Sequence, residues 1–133
     1  MSQEDEDRVQ AVLQEDSSSD YFAQMRLSRQ TARDEAVTVL QETTAYSEGE
    51  NATDSGKELE RIISDALAES QIESLVIAKG YVDCVAYISD EGISLAVASP
   101  EEGLTENDVS LLADIVMTQT EYGLSDIRII PVE

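Results

Sequence analysis

The sequence predicts an α+β fold: a helical extension, then an α-β-β-α-β two-layer sandwich with two helices on one face of a three-stranded sheet. Three observations carry this expectation. Apolar residues recur at helical spacing in two stretches, Leu59 to Leu67 and Val109 to Val116. Between and after these stretches the apolar period falls to two. Glycine, proline or a capping pattern punctuates the junctions.

The elements follow in chain order. Residues 1–20 carry seven acids against Arg8, with only Val9, Ala11, Val12 and Leu13 to bury, and read as an acidic, mostly disordered stalk. A helical extension is expected over residues 21–45, capped by Asp20 or a preceding serine and free of Gly and Pro. Its apolar residues form no single stripe, so it is expected to extend from the core rather than complete it. Arg26, Arg29 and Arg33 lie at i, i+3 and i+7 and share one face, which suits solvent, an acidic partner or the acidic domain that follows. Residues 46–55 have the composition of a linker, and residues 56–133 form the sandwich.

Within the sandwich, Leu59, Ile62, Ile63, Ala66 and Leu67 make an amphipathic helix starting near Ser55 or Gly56. The stripe then shifts phase to Ile72, Leu75 and Val76, which predicts a kink or a break around residues 69–71. Lys79 and Gly80 end the helix. Val82, Cys84, Ala86 and Ile88 alternate with Asp83, Val85, Tyr87 and Ser89; after the turn at Asp90, Glu91 and Gly92, Ile93, Leu95 and Val97 share one face, so the pair reads as a hairpin. Thr105 and Asp108 form a capping box before Val109, Leu112, Ala113, Ile115 and Val116, and Gly123 stops that helix. The last strand, IRIIPV, holds Pro131 and belongs at a sheet edge.

Charge excludes several functions. With 29 acids against 8 bases the chain carries −21, which repels nucleic acid and anionic lipid surfaces alike. The exception is residues 21–45, where Asp34, Glu35 and Glu42 are balanced by Arg26, Arg29 and Arg33. There is no His and one Cys, so histidine triads, histidine metal sites, disulfides and CxxC motifs are absent. No nucleotide loop, nucleophile elbow, zincin motif or alternating-acid calcium loop is present, so no cofactor, metal or catalytic residue is expected. Cys84 lies on the alternating face with Ile88 and is expected to be buried and inert. The helix-strand order brings a KH domain to mind, but the GxxG loop and the basic surface are missing.

The stretches YFAQMRLSRQTARDEAVTVLQ, IESLVIAKGYVDCVAYIS and LSDIRIIPV, within a similarity spanning about residues 21–132, resemble the stage III sporulation protein AH family. The resemblance implies the ring-building motif shared with type III secretion and flagellar basal-body proteins. It implies a non-catalytic part of a channel or feeding apparatus, which binds the forespore stage II sporulation protein Q and other stage III sporulation proteins and joins rings when tethered. It also implies an anchor in the mother-cell membrane by an N-terminal helix that this chain lacks. Met1 is accordingly expected to begin a soluble ectodomain, with residues 2–20 just outside the membrane and the domain between mother cell and forespore.

A functional class independent of that resemblance is a soluble cytosolic acidic adaptor, which requires no apolar span upstream of Met1. For the contact surface, two helices covering one sheet face leave the other face and the strand edges open, so Val85 and Tyr87 are candidate partner contacts, with Arg26, Arg29 and Arg33 beside them.

Overall fold

The computed structural model describes residues 3–46 and 50–133, with side-chain surroundings at 19–42 and 54–133. Helix α1 spans Gln3–Tyr46 and α2 spans Glu50–Ala78; strands β1 (Cys84–Ser89) and β2 (Gly92–Ala98) lead to α3 (Glu106–Gln119) and a short 3-10 turn before β3 (Ile127–Val132). The sheet order is β1-β2-β3. β1 pairs antiparallel with β2 in the register Val85 with Ala96, and β2 pairs parallel with β3 in the register Leu95 with Ile129.

The main core lies where sequence patterning places it. Ile72 and Val76 of α2 and Leu112, Ile115 and Val116 of α3 pack on Cys84, Ala86, Ile88, Ile93, Leu95 and Val97 of the sheet. The capping box at Thr105 forms as read, with the Thr105 side chain accepting from Asp108 N–H and the Asp108 carboxylate accepting from Thr105 N–H. Tyr81 donates its hydroxyl to Asp108 as well, tying the loop after α2 to the start of α3. α2 ends at Ala78 and Gly80 follows with a positive φ of 106°. Gly92 closes the hairpin at φ 129°, where a Cβ would stand 2.3 Å from the Asp126 carbonyl oxygen; both the turn and the approach of β3 require glycine there.

The structure departs from expectation at the helices. α1 begins at Gln3, so Asp20 does not cap it, and the segment read as mostly unstructured lies in helix from Gln3 onward. Elongation from a docked helix avoids the cost of nucleation, and residues 3–20 hold neither Gly nor Pro. α2 begins at Glu50, which places Gly56 inside the helix; residues 47–49 of the expected linker lie outside the described ones. The expected break at 69–71 does not occur, since α2 runs through these residues as one helix. The stripe shifts phase because α2 serves two partners. Ile62 lines the groove against Ala32 and Ala36 of α1, while Ile72 and Val76 enter the sheet core, and Ile63 and Leu67 stay about three-fifths exposed.

Helix α1 also completes a core instead of merely extending from one. Phe22 is 2% exposed and packs with Val85 and Ala96 on the sheet face opposite α2 and α3, where Met25, Ala98, Ile130 and Val132 surround it. A single aromatic anchor needs no stripe, which is why apolar periodicity in α1 gave no sign of it.

Candidate partner interface

The three arginines of α1 face the domain's own acids. Arg33 pairs with Glu69, Arg29 donates to Glu73 at 2.8 Å, and Arg26 pairs with Asp83. The i, i+3, i+7 spacing aligns the guanidinium groups along one side of α1. Glu69 and Glu73 stand one turn apart on α2, which runs antiparallel to α1, so the two rows meet in reverse order. Glu69 is 1% exposed and its hydrogen bond raises the Arg33 pKa above the ordinary guanidinium value. Its second oxygen, Oε1, makes no hydrogen bond and stands 3.6 Å from Arg29 Nη1.

The same side chains close the outer edge of β1. The peptide groups of Cys84, Ala86 and Ile88 point away from β2. Ala86 N–H donates to Glu73 Oε2 at 2.9 Å and Ile88 N–H donates to Glu69 Oε2 at 2.7 Å. The Ala86 carbonyl accepts from Arg29 Nη1 at 2.6 Å, and the Cys84 carbonyl accepts from Arg26 at 3.3 Å. Asp83 Oδ1 receives Cys84 N–H. Edge groups that could template a foreign strand are thereby satisfied by charged side chains of the same chain.

These positions correct part of the expected contact surface. Val85 is 0% exposed beneath Phe22, and Arg29 and Arg33 are mostly buried in ion pairs, so none of the three forms an open surface in this arrangement. Of the five candidates, Tyr87 is half-buried and Arg26 keeps 44% of its side chain exposed. The back face was expected to be open because the sequence supplies two sandwich helices; α1 is a third and covers its β1 side. Missed altogether were Phe22, Glu69 and Glu73. The arginine spacing was the available signal, since a neutral helix beside an acidic domain has a partner of opposite charge at hand.

Elsewhere the surface offers little chemistry. A shallow groove of about 580 Å³ between α2 and the end of α3 is lined by Ser64, Asp65, Ala68, Ile88 and Tyr122, and burial pushes the Asp65 carboxyl above its ordinary value. Among the described residues no group of three or more His, Cys, Asp or Glu stands where it could hold a metal, and no helix is long and apolar enough to cross a membrane. Cys84 is buried, and desolvation raises its thiol pKa to about 12, followed in weight by Glu73 and Asp83.

A three-stranded sheet clasped between helices, with ion pairs joining α1 to α2, defines the class: a small α+β domain. The family model of SpoIIIAH-like proteins matches residues 1–129, and the chain belongs to that family. It is a non-catalytic sporulation protein. A solved structure titled as that of the SpoIIQ-SpoIIIAH pore forming complex contains a chain of similar fold, at 16% identity and a TM-score of 0.72, with 84% of this chain and 96% of that chain covered. No curated protein matches.

Proposed function

We propose that this chain is the ectodomain of a sporulation assembly protein that binds the extracellular domain of SpoIIQ. The observation that carries this reading is the shared fold, which covers nearly the whole of a chain from a SpoIIQ-SpoIIIAH complex, joined to family membership over residues 1–129. In the same reading the domain lies between mother cell and forespore, anchored in the mother-cell membrane. It joins other stage III sporulation proteins in rings of a channel or feeding apparatus. Residues 1–20 serve as the acidic stalk, 21–45 as the helical extension and 56–133 as the ring-building module.

Tyr87 and Arg26 are the contact residues that keep exposure, with Val85, Arg29 and Arg33 supporting them from behind. Calorimetric titration of the chain with the SpoIIQ ectodomain tests the reading. Saturable one-to-one binding is expected, weakened by Tyr87→Ala with Arg26→Ala; absence of any heat in a folded sample overturns it.

A further inference from the structure

The seam between α2 and the end of α3 holds polar groups that the domain leaves unused. Its groove of about 580 Å³ is lined by the apolar Ala68 and Ile88 and by the polar Asp65, Gln119, Glu121 and Tyr122, with no base on its wall among the described residues. The half-buried Asp65 carboxylate makes no hydrogen bond and no ion pair among the described residues, and the Tyr122 hydroxyl beside it makes no hydrogen bond either. Arg61, one turn earlier on α2, is directed elsewhere, to Glu58 at 3.0 Å and Asp90 at 3.1 Å. Desolvation is the largest influence on Asp65 and raises its pKa, outweighing the lowering by Arg61. A carboxylate in that condition gains from a cation that reaches it. At Gln119 the groove adjoins a second hollow of about 320 Å³, lined by Gln71, Ser74 and Leu75, the last 38% exposed. From Asp65 to Leu75 the seam follows α2 for about 15 Å, which an extended segment of about five residues spans.

We propose that this seam receives an extended segment of the assembly partner, which seats an arginine side chain against Asp65 and Tyr122 and an apolar side chain against Leu75. Charge complementarity selects the occupant: a cationic side chain enters a groove walled by Asp65 and Glu121, on a chain that carries −21. Guanidinium suits the site better than ammonium. It is more weakly hydrated, its donors reach a carboxylate and a phenolic oxygen together, and its stem lies along Ala68 and Ile88. A free organic cation is the poorer occupant, because the groove is shallow and a side chain borne on a segment adds contacts at Gln119 and Leu75. A second copy of this chain is poorer too, since it brings another −21. This rests on the assembly reading, and the experiment separates the two.

The SpoIIQ ectodomain is titrated calorimetrically into the parent chain, into Asp65→Asn and into Glu101→Gln, which removes an equal charge outside the seam. Weakening by at least about tenfold in Asp65→Asn, with Glu101→Gln unchanged, supports both readings. Binding that Asp65→Asn leaves intact, or that both variants weaken equally, overturns the seam proposal and leaves the assembly reading standing. If the ectodomain does not bind, the assembly reading fails. In that case, or if Asp65→Asn does not fold, the capped peptide Leu-Ser-Ser-Arg and its citrulline counterpart decide by NMR on the parent chain. Amide shifts at Asp65, Gln119 and Tyr122 with the arginine peptide alone support the seam, whereas equal shifts with both, or none, overturn it. Equal affinity for argininamide and the arginine peptide would mark a site for free cations. Self-association abolished by Asp65→Asn in sedimentation would assign the seam to a second copy, and either result overturns the proposal.

Discussion

At the scale of single residues, burial decides which charges matter. Glu69 is 1% exposed and receives both Arg33 and Ile88 N–H, so Glu69→Ala leaves a guanidinium and an edge amide without their acceptor. A loss of about 3 kcal/mol is expected in urea unfolding, as for other broken buried pairs. Arg26→Ala removes a pair whose members are 44% and 32% exposed, and the same measurement should show less than about 1 kcal/mol. Equal losses from the two variants would mean that burial is not the deciding quantity.

Tyr81 gives a pH signature. Desolvation first, and then its hydrogen bond to Asp108, raise its pKa to about 12, above the ordinary ~10. The folded state favours the neutral phenol, so the stabilisation is fully present below pH ~10 and is lost as pH rises through the folded pKa. Phenolate absorbance should show Tyr81 ionising late in the native protein, and Tyr81→Phe should remove that late step. The Asp108 carboxyl is held below its ordinary value, first by Tyr81 and then by Thr105, so its contribution persists until acid reaches below the usual carboxylate range.

At the scale of elements, α1 is the informative one. It docks through Phe22 on the back of the sheet and through arginines on α2 and β1, two attachments of different physics. Phe22→Ala is expected to cost about 3 kcal/mol, typical of a buried aromatic removed from a core. Faster amide exchange should appear in residues 21–42 and β1 before it appears in α3. Helix α2 offers the opposite change: Gly56 lies inside it, and a Cβ there would meet nothing within 4 Å. Gly56→Ala should therefore stabilise the protein by about 0.5–1 kcal/mol, read as a higher unfolding midpoint. The sandwich helices were legible from apolar spacing and caps, because those signals are local. The continuity of α2 was not, since a change of packing partner along one helix shifts the stripe much as a kink does.

At the scale of the whole molecule, charge governs association. A chain at −21 repels its copies, and screening reaches only ~10 Å at 0.1 M salt. Sedimentation in dilute low-salt buffer should therefore show a monomer, with tethering or a partner needed to raise local concentration for rings. A stable large oligomer under those conditions would rule this out.

By itself the sequence determined the α-β-β-α-β order, the capping box, the hairpin, the edge position of β3 and the burial of Cys84, all set by periodicity, capping or composition within a few residues. It also determined that the arginines of α1 share a face. Which surface they meet, and hence that Val85 is covered and the β1 edge closed, was decided by tertiary structure alone. The pairs Arg29 with Glu73 and Arg33 with Glu69 join residues more than thirty positions apart. An acid-rich sequence offers many equivalent partners at that separation, and only the packing of Phe22 on the sheet selects among them.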